Sequence, residues 1–214
     1  INLIFEYREL NKLQSTYVVG LLKEVDDQDR IHTSFNQAVT ATGRLSSSKP
    51  NLQNIPIRTE LGREIRKAFI PKKGFSLLAA DYSQIELRVI ASMADDNKMI
   101  ESFNKGEDIH ARTAAEINSK DIKDVNKSER RAAKEVNFGV MYGLGARGLS
   151  QRTDLDFNEA RDFIERYFLL YEKVRKFLDL TKENAHQNKF VETLFGRKRY
   201  IPDIDARMPM LRAA

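Results

Sequence analysis

The sequence contains no cysteine, no long apolar run and no recognisable targeting segment. Without cysteine, a disulfide framework, a thiolate zinc site and a cysteine nucleophile are excluded, and the composition suits a reducing cytosol. No apolar run approaches the ~18 residues of a membrane span, and the start at Ile1 does not resemble a signal peptide. A start at Ile1 rather than at Met suggests a piece of a longer protein. The P-loop, HExxH and nucleophile-elbow motifs are also absent.

The residues that are present describe a globular chain whose charge is unevenly distributed. The 214 residues suffice for one large or two small domains, and 41 % hydrophobic residues argue against disorder. The net charge of +5 conceals two basic segments. Residues 40–75 carry eight basic and two acidic side chains, and residues 127–152 carry six and two. Such segments favour nucleic acid or nucleotides, although solvated faces would produce the same pattern.

The spacing of apolar residues predicts mainly helices with a few short strands. The segments predicted in the first part of the chain are a helix over 1–22, a turn over 26–30, a strand over 31–40, a loop over 40–58, a short buried strand over 75–80 and a helix after Asp81. The first helix predicted later in the chain covers 98–118, with a break at Gly106 and a cap at Asp108. The next covers 128–142, with a cap at Ser128 and an end at Gly143, and the last covers 158–187. A strand-like piece and a basic turn follow after residue 190.

Asp81 follows the predicted buried strand, where a carboxylate is held rigidly. Hard divalent cations such as Mg²⁺ bind carboxylate oxygens and water, and the Tyr82 carbonyl lies next in the chain. Glu86 lies about one and a half turns further on and need not share the same ion. The alternative is that Asp81 simply caps the following helix.

Four residues of the helix over 128–142 follow one another at i+4 spacing: Arg130, Lys134, Phe138 and Tyr142. The row is ~18 Å long and places two cations before two aromatic rings, an order that suits a nucleoside triphosphate. Cations near a helix N-terminus are unfavourable for stability but suit an anion. The alternative is a solvated basic face with Phe138 and Val140 in the core.

Two other patterns carry no site. Gly143, Gly145 and Gly148 spell GxGxxG, but a helix rather than a strand precedes them, so a dinucleotide site is not predicted. His32, His110 and His186 are widely separated and form no metal triad, and each alone is more often a surface or hydrogen-bonded histidine.

Three segments resemble those of family A DNA polymerases. DYSQIELR at 81–88 is similar to motif A, RRAAKEVNFGVMYG at 130–143 to motif B, and TATGRLSSSKPNLQNIPIR at 40–58 to the template–primer segment before motif A. The three motifs stand in the family's order, and the likeness runs from near residue 1 to about Pro202. This combination is a very specific signal.

The resemblance implies roles for individual residues. Asp81 would hold two catalytic Mg²⁺ ions, assisted by the Tyr82 carbonyl, and Glu86 would be a steric gate against a ribose 2′-OH. The other residues that the resemblance assigns to the nucleotide are Gln84, His110, Arg130, Lys134, Phe138 and Tyr142. The residues that it assigns to DNA are Arg44, Asn51, Gln53, Asn54 and Arg58.

The family's architecture implies an α+β fold, in which a palm with an antiparallel sheet joins the helical fingers of a right-hand polymerase, here incomplete. Residues 1–23 would be the thumb base, 24–95 the first part of the palm, 96–187 the fingers and 188–214 a return to the palm. The implied partners are primer–template DNA, deoxynucleoside triphosphates and the remainder of the polymerase chain, with no membrane. The implied location is the cytoplasm, at the nucleoid in a bacterium, and an organelle stays open.

One part of the family pattern is missing. Motif C, a His-Asp-Glu turn between two strands, has no match, because none of the three histidines precedes Asp-Glu. Asp203 and Asp205 lie in PDID without an apolar hairpin and are not expected to replace it. We therefore expect the parent protein to synthesise DNA and this chain alone to be inactive or nearly so. Two alternatives stay open: a single-subunit RNA polymerase, against which Glu86 argues, and a non-catalytic nucleic-acid-binding module.

Overall fold

The computed structural model describes residues 1–57 and 59–208, and its contacts divide the chain into two compact units. The first unit comprises residues 1–80, and the second begins at Asp81. No helix in the described ranges is both long and apolar enough to cross a membrane.

A continuous helical segment opens the first unit. It consists of α1 (Asn2–Lys12), a π-helical segment (Leu13–Val19) and α2 (Gly20–Leu22), so the predicted helix over 1–22 is confirmed. Its buried side chains, spaced four residues apart, are Leu13, Tyr17 and Leu21. They pack against a small set of partly buried residues from the rest of the unit: Ile31, Leu52, Ile55, Ile65 and Phe69.

The first unit contains one small antiparallel sheet, formed by β1 (Ser34–Asn36) and β2 (Ser46–Ser48). Ser34 pairs with Ser48 and Asn36 with Ser46. The strand predicted over 31–40 is therefore confirmed only where β2 provides a partner. The remaining elements of this unit are the predicted turn over 26–30, in which Asp26 N donates to Arg30 O, and α3 (Glu60–Lys67).

Residues 75–80 form no strand, so the predicted buried strand is wrong. All six side chains are exposed, and Leu78 is 93 % exposed. A strand requires a neighbour that pairs with its N–H and C=O groups. No strand in the described part of the chain pairs with this segment. Its apolar composition indicated burial but could not supply the partner.

The second unit is mostly helical. Its elements are α4 (Ile85–Met93), α5 (Asn97–Asn104), α6 (Ile109–Asn118), a 3₁₀ turn (Ile122–Asp124), α7 (Lys127–Gly139), a 3₁₀ turn (Val140–Tyr142), α8 (Ala146–Ser150), α9 (Phe157–Leu170), α10 (Glu172–Asn188), β3 (Phe190–Glu192) and β4 (Lys198–Tyr200). One hydrophobic core joins the helices, with buried side chains that include Leu87, Met99, Ile109, Val136, Leu149, Tyr167 and Val174.

Of the predicted helix caps and ends, those at Asp108 and Gly143 are confirmed and the cap at Ser128 is wrong. Asp108 caps α6, and Gly106 lies between α5 and α6 with a φ of 69° that favours glycine. Gly143, with a φ of 76°, ends the turn after α7. Ser128 does not cap α7, because Asn126 and Glu129 form a capping box there. The Ser128 hydroxyl instead donates to Asp154 at 2.8 Å.

The helical segment predicted over 158–187 is present but divided. Tyr171 leaves helical geometry between α9 and α10, with φ −114° and ψ 62°. Beyond α10, β3 and β4 pair antiparallel with Phe190 opposite Tyr200. The strand-like piece after residue 190 is therefore confirmed for three residues, and part of the predicted basic turn lies in β4.

Candidate functional site

The segment from Asp81 to Gln84 leads into α4 without capping it. Gln84 occupies the N-cap position in left-handed geometry, with φ 54°, and its side chain makes no capping bond. The alternative that Asp81 caps this helix is therefore wrong. Asp81 is exposed and makes no hydrogen bond or ion pair with a described residue, and Tyr82 is 80 % exposed. The Asp81 carboxylate is thus accessible to a ligand.

The first turns of α4 hold this segment against the helical core. Leu87 is fully buried there, while Gln84 and Glu86 are half-buried. Arg88 donates through Nε to Ser83 O at 3.0 Å, and its guanidinium lies 4.5 Å from the centre of the Phe103 ring. The turn before α4 is therefore held in place by Arg88, a side chain of the helix that follows it. A carboxylate in the first turn, as at Glu86, is also favourable for the helix dipole.

The four-residue row of α7 lies on the outer face of this helix. Arg130 and Lys134 are exposed, Phe138 is half-buried, and Tyr142, in the following 3₁₀ turn, is 66 % exposed. The opposite face is buried through Ala132, Ala133, Val136, Asn137 and Val140. Phe138 thus packs at the edge of the core, as the alternative interpretation expected of it, while still belonging to the outer row.

The two cations of the row differ in their partners. Arg130 donates to Asp108 Oδ2 at 2.8 Å, whereas Lys134 has no ion-pair partner among the described residues. Arg131 is turned away from the row, because it donates to the Arg152 carbonyl at 3.1 Å. Two of the three cations are therefore oriented by neighbouring elements.

Asp108 connects α6 to the row. Its carboxylate accepts from the backbone amides of His110 and Ala111 and from Arg130. Burial alone would raise the pKa of Asp108, but these hydrogen bonds outweigh it and hold the pKa below its ordinary value. The carboxylate therefore stays ionised and keeps Arg130 in place.

His110 is 3 % exposed and lies against α7. Its Nδ1 is 3.0 Å from Asn137 Nδ2, and its ring centre is 5.5 Å from that of Phe138. Burial lowers the pKa of His110 to about 4; the charges of Arg130 and Lys134 act in the same direction and Asp108 opposes them. His110 is therefore a neutral ring next to the basic row.

Sequence reasoning did not single out the buried polar residues behind His110. Asn137 and Thr113 are completely buried and hydrogen-bonded to each other, and Tyr171 joins them. One signal could have found Asn137: it lies four residues after Ala133, on the apolar side of the α7 pattern, where an amide requires a partner.

The residues implied in DNA contacts belong to the first unit. Arg44, Asn51, Gln53 and Asn54 are all exposed, and Arg58 lies outside the described residues. Asn51 Oδ1 accepts from Gln53 N at 3.0 Å, which fixes the loop locally. This loop and the opening helical segment line a cavity of about 770 Å³. The structure therefore brings Asn51, Gln53 and Asn54 together on one exposed loop.

The described residues do not complete a metal site. Nowhere in residues 1–57 and 59–208 do three His, Asp or Glu side chains form a group that could hold an ion. Asp81 and the Tyr82 carbonyl are suitable hard donors, but they are too few for two Mg²⁺ ions. Asp205 is engaged elsewhere, with His186 and Lys189.

The family model of DNA polymerase family A matches residues 1–214 of this chain. The chain belongs to this family. It is 53 % identical over 215 residues to a thermostable DNA polymerase I of Thermus filiformis, covering 100 % of this chain and 26 % of the relative. It is 50 % identical to DNA polymerase I of Deinococcus radiodurans, covering 100 % of this chain and 22 % of the relative. This family A chain thus spans about a quarter of the length of these curated relatives.

A solved structure supports the same placement. The POL domain of Pol1 from M. smegmatis, in complex with DNA primer-template and dNTP, matches with a TM-score of 0.84 and 44 % sequence identity. The match covers 97 % of this chain and 36 % of that one. The predicted family and the predicted fold class, part of a right-hand polymerase with small antiparallel sheets, are therefore confirmed.

Proposed function

We propose that the protein containing this chain is a template-directed DNA polymerase that transfers deoxynucleotides to a primer 3′-hydroxyl. The observation that carries the proposal is the outer row of α7, in which Arg130 and Lys134 precede Phe138 and Tyr142 along one exposed face. Its relatives in this family carry the name DNA polymerase I. The same chain therefore combines family membership with a surface suited to a nucleoside triphosphate.

Different side chains of the row suit different parts of the nucleotide. Lys134, which has no described ion-pair partner, offers a full charge to the phosphates, and Arg130 offers a planar fork that Asp108 holds in advance. His110 adds a neutral donor. Phe138 and Tyr142 offer aromatic faces to the base and sugar. Holding the triphosphate in one orientation lowers the barrier by proximity and by stabilising charge that develops during phosphoryl transfer.

Residues before and within α4 complete the proposed nucleotide site. Asp81 supplies an accessible carboxylate, the Tyr82 carbonyl lies beside it, and Gln84 and Glu86 lie at the start of the helix. Glu86 is the proposed gate against a ribose 2′-OH. Family A polymerases are metal-dependent. Bound metal ions neutralise phosphate charge, and here Asp81 would contribute one carboxylate ligand, with further ligands coming from outside the described residues.

We assign DNA contacts to the exposed loop that carries Asn51, Gln53 and Asn54, together with Arg44 and Arg58. Amide and guanidinium donors suit the shared acceptors of the minor groove and the phosphates. The regions proposed on the family's plan are the thumb base (1–23), the first part of the palm (24–95), the fingers (96–187) and a return to the palm (188–214). The remaining partner is the rest of the polymerase chain, and the bacterial relatives favour a place in the cytoplasm at the nucleoid.

Primer extension by the full-length gene product tests the proposal. With a primed template, Mg²⁺ and deoxynucleotides, Lys134→Ala should raise the KM for the nucleotide about tenfold and leave DNA binding unchanged. Lys127→Ala, which removes an exposed cation of the same helix outside the row, is the matched control and should keep the original KM. Preferred use of ribonucleotides would instead favour an RNA polymerase. Binding of DNA without any synthesis would favour a non-catalytic binding module. Either result would contradict the proposal.

A further inference from the structure

A fully buried chain of hydrogen bonds connects α6, α7 and the junction of α9 with α10. The Thr113 hydroxyl donates to Ile109 O at 2.7 Å, which uses its only proton. Its oxygen lies 3.0 Å from Tyr171 Oη and 3.2 Å from Asn137 Nδ2. Burial raises the pKa of Tyr171 to about 12, so the phenol keeps its proton and donates to Thr113. Thr113 is therefore an acceptor for both neighbours.

This proton assignment determines the role of Asn137. The amide nitrogen carries two hydrogens and lies 3.2 Å from Thr113 Oγ1 and 3.0 Å from His110 Nδ1, while the amide oxygen lies 3.4 Å from Thr113 Oγ1. With one hydrogen donated to Thr113, the other is directed at His110 Nδ1, which then accepts it. An Nδ1 that accepts a hydrogen bond carries no proton. The single proton of the neutral imidazole is then on Nε2.

Nε2 of His110 is the ring atom that remains open. The structure gives it no hydrogen bond from a described residue. The residue as a whole is 3 % exposed, so Nε2 is the ring nitrogen left for a ligand at the edge of the core. The charged groups that act on the ring are Asp108, Arg130 and Lys134, which surround it from α6 and α7.

We propose that Asn137 is a positioning residue for the nucleotide site, because it fixes the proton of His110 on Nε2 and so presents a neutral N–H donor beside Arg130 and Lys134. The inference rests on the proposed function, in which His110 contacts the triphosphate. A fixed tautomer matters here because the opposite one would present a lone pair to an anion, which repels it. The buried network thus sets the polarity of a buried ring that borders the proposed site.

The opposite orientation of the Asn137 amide is the competing arrangement. It would place Oδ1 against His110 and require the proton on Nδ1. The amide oxygen would then lie 3.2 Å from Thr113 Oγ1 and the amide nitrogen 3.4 Å from it, so that two acceptors would face each other at the shorter distance. Because the bond to Ile109 O uses the Thr113 proton and leaves Oγ1 as an acceptor, the observed orientation, which places the amide nitrogen at the shorter distance, is the favoured one.

Nitrogen NMR of the imidazole rings distinguishes the two arrangements in the 214-residue chain labelled at histidine. The chain has three histidines, and His110→Gln identifies the resonances of His110. The expected spectrum near neutral pH shows a protonated Nε2 and an unprotonated Nδ1 for His110. A protonated Nδ1, or rapid exchange between the two tautomers, would overturn the proposal.

Asn137→Asp inverts the hydrogen bond with almost no change in side-chain shape. A carboxylate only accepts, so the proton of His110 should move to Nδ1 and the pKa of the ring should rise. Asn137→Ala removes the contact without adding charge and should let both tautomers appear. Tyr171→Phe removes a hydroxyl from the same network without touching His110, and it should keep the Nε2 proton. A change of tautomer in Tyr171→Phe, or none in either Asn137 variant, would contradict the role of Asn137.

Kinetics in the full-length gene product separate this inference from the proposed function. Asn137→Asp should raise the KM for the deoxynucleotide about tenfold with a smaller change in kcat, whereas Tyr171→Phe should keep the KM. An Asn137→Asp enzyme with the original KM overturns the inference while synthesis continues. A full-length protein that makes no DNA overturns the proposed function, and the NMR spectrum of the chain then still decides whether Asn137 sets the tautomer.

Discussion

Arg130 donates through its guanidinium to Asp108 Oδ2 at 2.8 Å, so the first cation of the outer row of α7 is held by the residue that caps α6. One carboxylate thereby serves two purposes. It accepts from two backbone amides at the start of α6, and it orients a guanidinium proposed to bind phosphate. Stability of the helix pair and readiness of the site therefore depend on the same side chain.

Replacing Asp108 separates these two purposes. Asp108→Ala removes both the cap and the partner of Arg130, and it should lower the free energy of unfolding by about 1 kcal/mol. Asp108→Asn keeps a good capping oxygen but loses the charge, so it should retain most of the stability. Urea unfolding of the two variants measures the difference. Equal losses would show that the cap contributes little, contrary to the hydrogen bonds at His110 and Ala111.

The lowered pKa of His110 makes stability depend on pH. The ring binds a proton at an ordinary pKa of 6.5 in the unfolded chain but only at about 4 in the folded one. The unfolded state therefore binds more protons between these values, and its free energy falls relative to the folded state as the pH decreases. Stability should be complete above pH ~6.5 and decline by up to about 3 kcal/mol towards pH ~4.

Unfolding curves at a series of pH values test this dependence. In His110→Gln the part of the decline due to this ring should disappear. His32→Gln removes an exposed histidine of the other unit and is the matched control, expected to keep the decline. A decline that survives in His110→Gln would contradict the assignment to His110.

Local patterns predicted much of the second unit. The i+4 row from Arg130 to Tyr142, the cap at Asp108 and the end at Gly143 could all be read from residues close together in sequence. Helices lend themselves to this, since their hydrogen bonds join residues four apart. The prediction that Ser128 caps α7 was wrong because Asn126 is a competing cap. Asn126 forms a capping box with Glu129, in which each side chain accepts a hydrogen bond from the backbone N–H of the other residue.

Other features depended on residues far apart. The segment over 75–80 could not be judged from its own apolar run, because a strand forms only with a partner. The helix break at Tyr171 lies at one end of a series of hydrogen bonds that runs through Thr113 to Asn137. Tyr171 and Thr113 are 58 positions apart in the sequence, and Thr113 and Asn137 are 24 positions apart. A single sequence gives the buried position of Asn137 at best, and it does not give the residue on the other side of the hydrogen bond.

Gly139 should not tolerate a side chain at the end of α7. A Cβ there would collide with the side chain of Leu144, including its Cβ at 2.8 Å. Because the conflict involves the base of the side chain, a change of rotamer is not sufficient, and Gly139→Ala should lower stability by about 1–3 kcal/mol. Gly145→Ala has open space and is the control. Thermal unfolding measures both, and Leu144→Ala combined with Gly139→Ala should recover part of the loss; equal stability of the two single variants would contradict the predicted collision.

Asp81 should be required for synthesis but not for DNA binding. Asp81→Ala in the full-length gene product removes an accessible carboxylate that makes no hydrogen bond within the described chain, so the fold should be unaffected and primer extension abolished. Asp162→Ala, at a half-buried position of α9, is the control and should extend normally. The 214-residue chain should itself extend a primer poorly, since motif C is missing. Normal extension by Asp81→Ala would refute the ligand role, and efficient extension by the chain would refute the expected inactivity.

Glu86 should determine which sugar is accepted. It is half-buried in the first turn of α4, one residue before the fully buried Leu87, so its backbone position is fixed by the core. If its bulk excludes a 2′-OH, Glu86→Ala should reduce the preference for deoxynucleotides about 10- to 100-fold. Glu86→Gln has nearly the same size without the charge and should keep the preference. The ratio of kcat/KM for deoxynucleotides to kcat/KM for ribonucleotides measures this preference. A loss of the preference in both variants would point to the charge of the side chain rather than to its size. An unchanged preference in both variants would contradict a gate at Glu86.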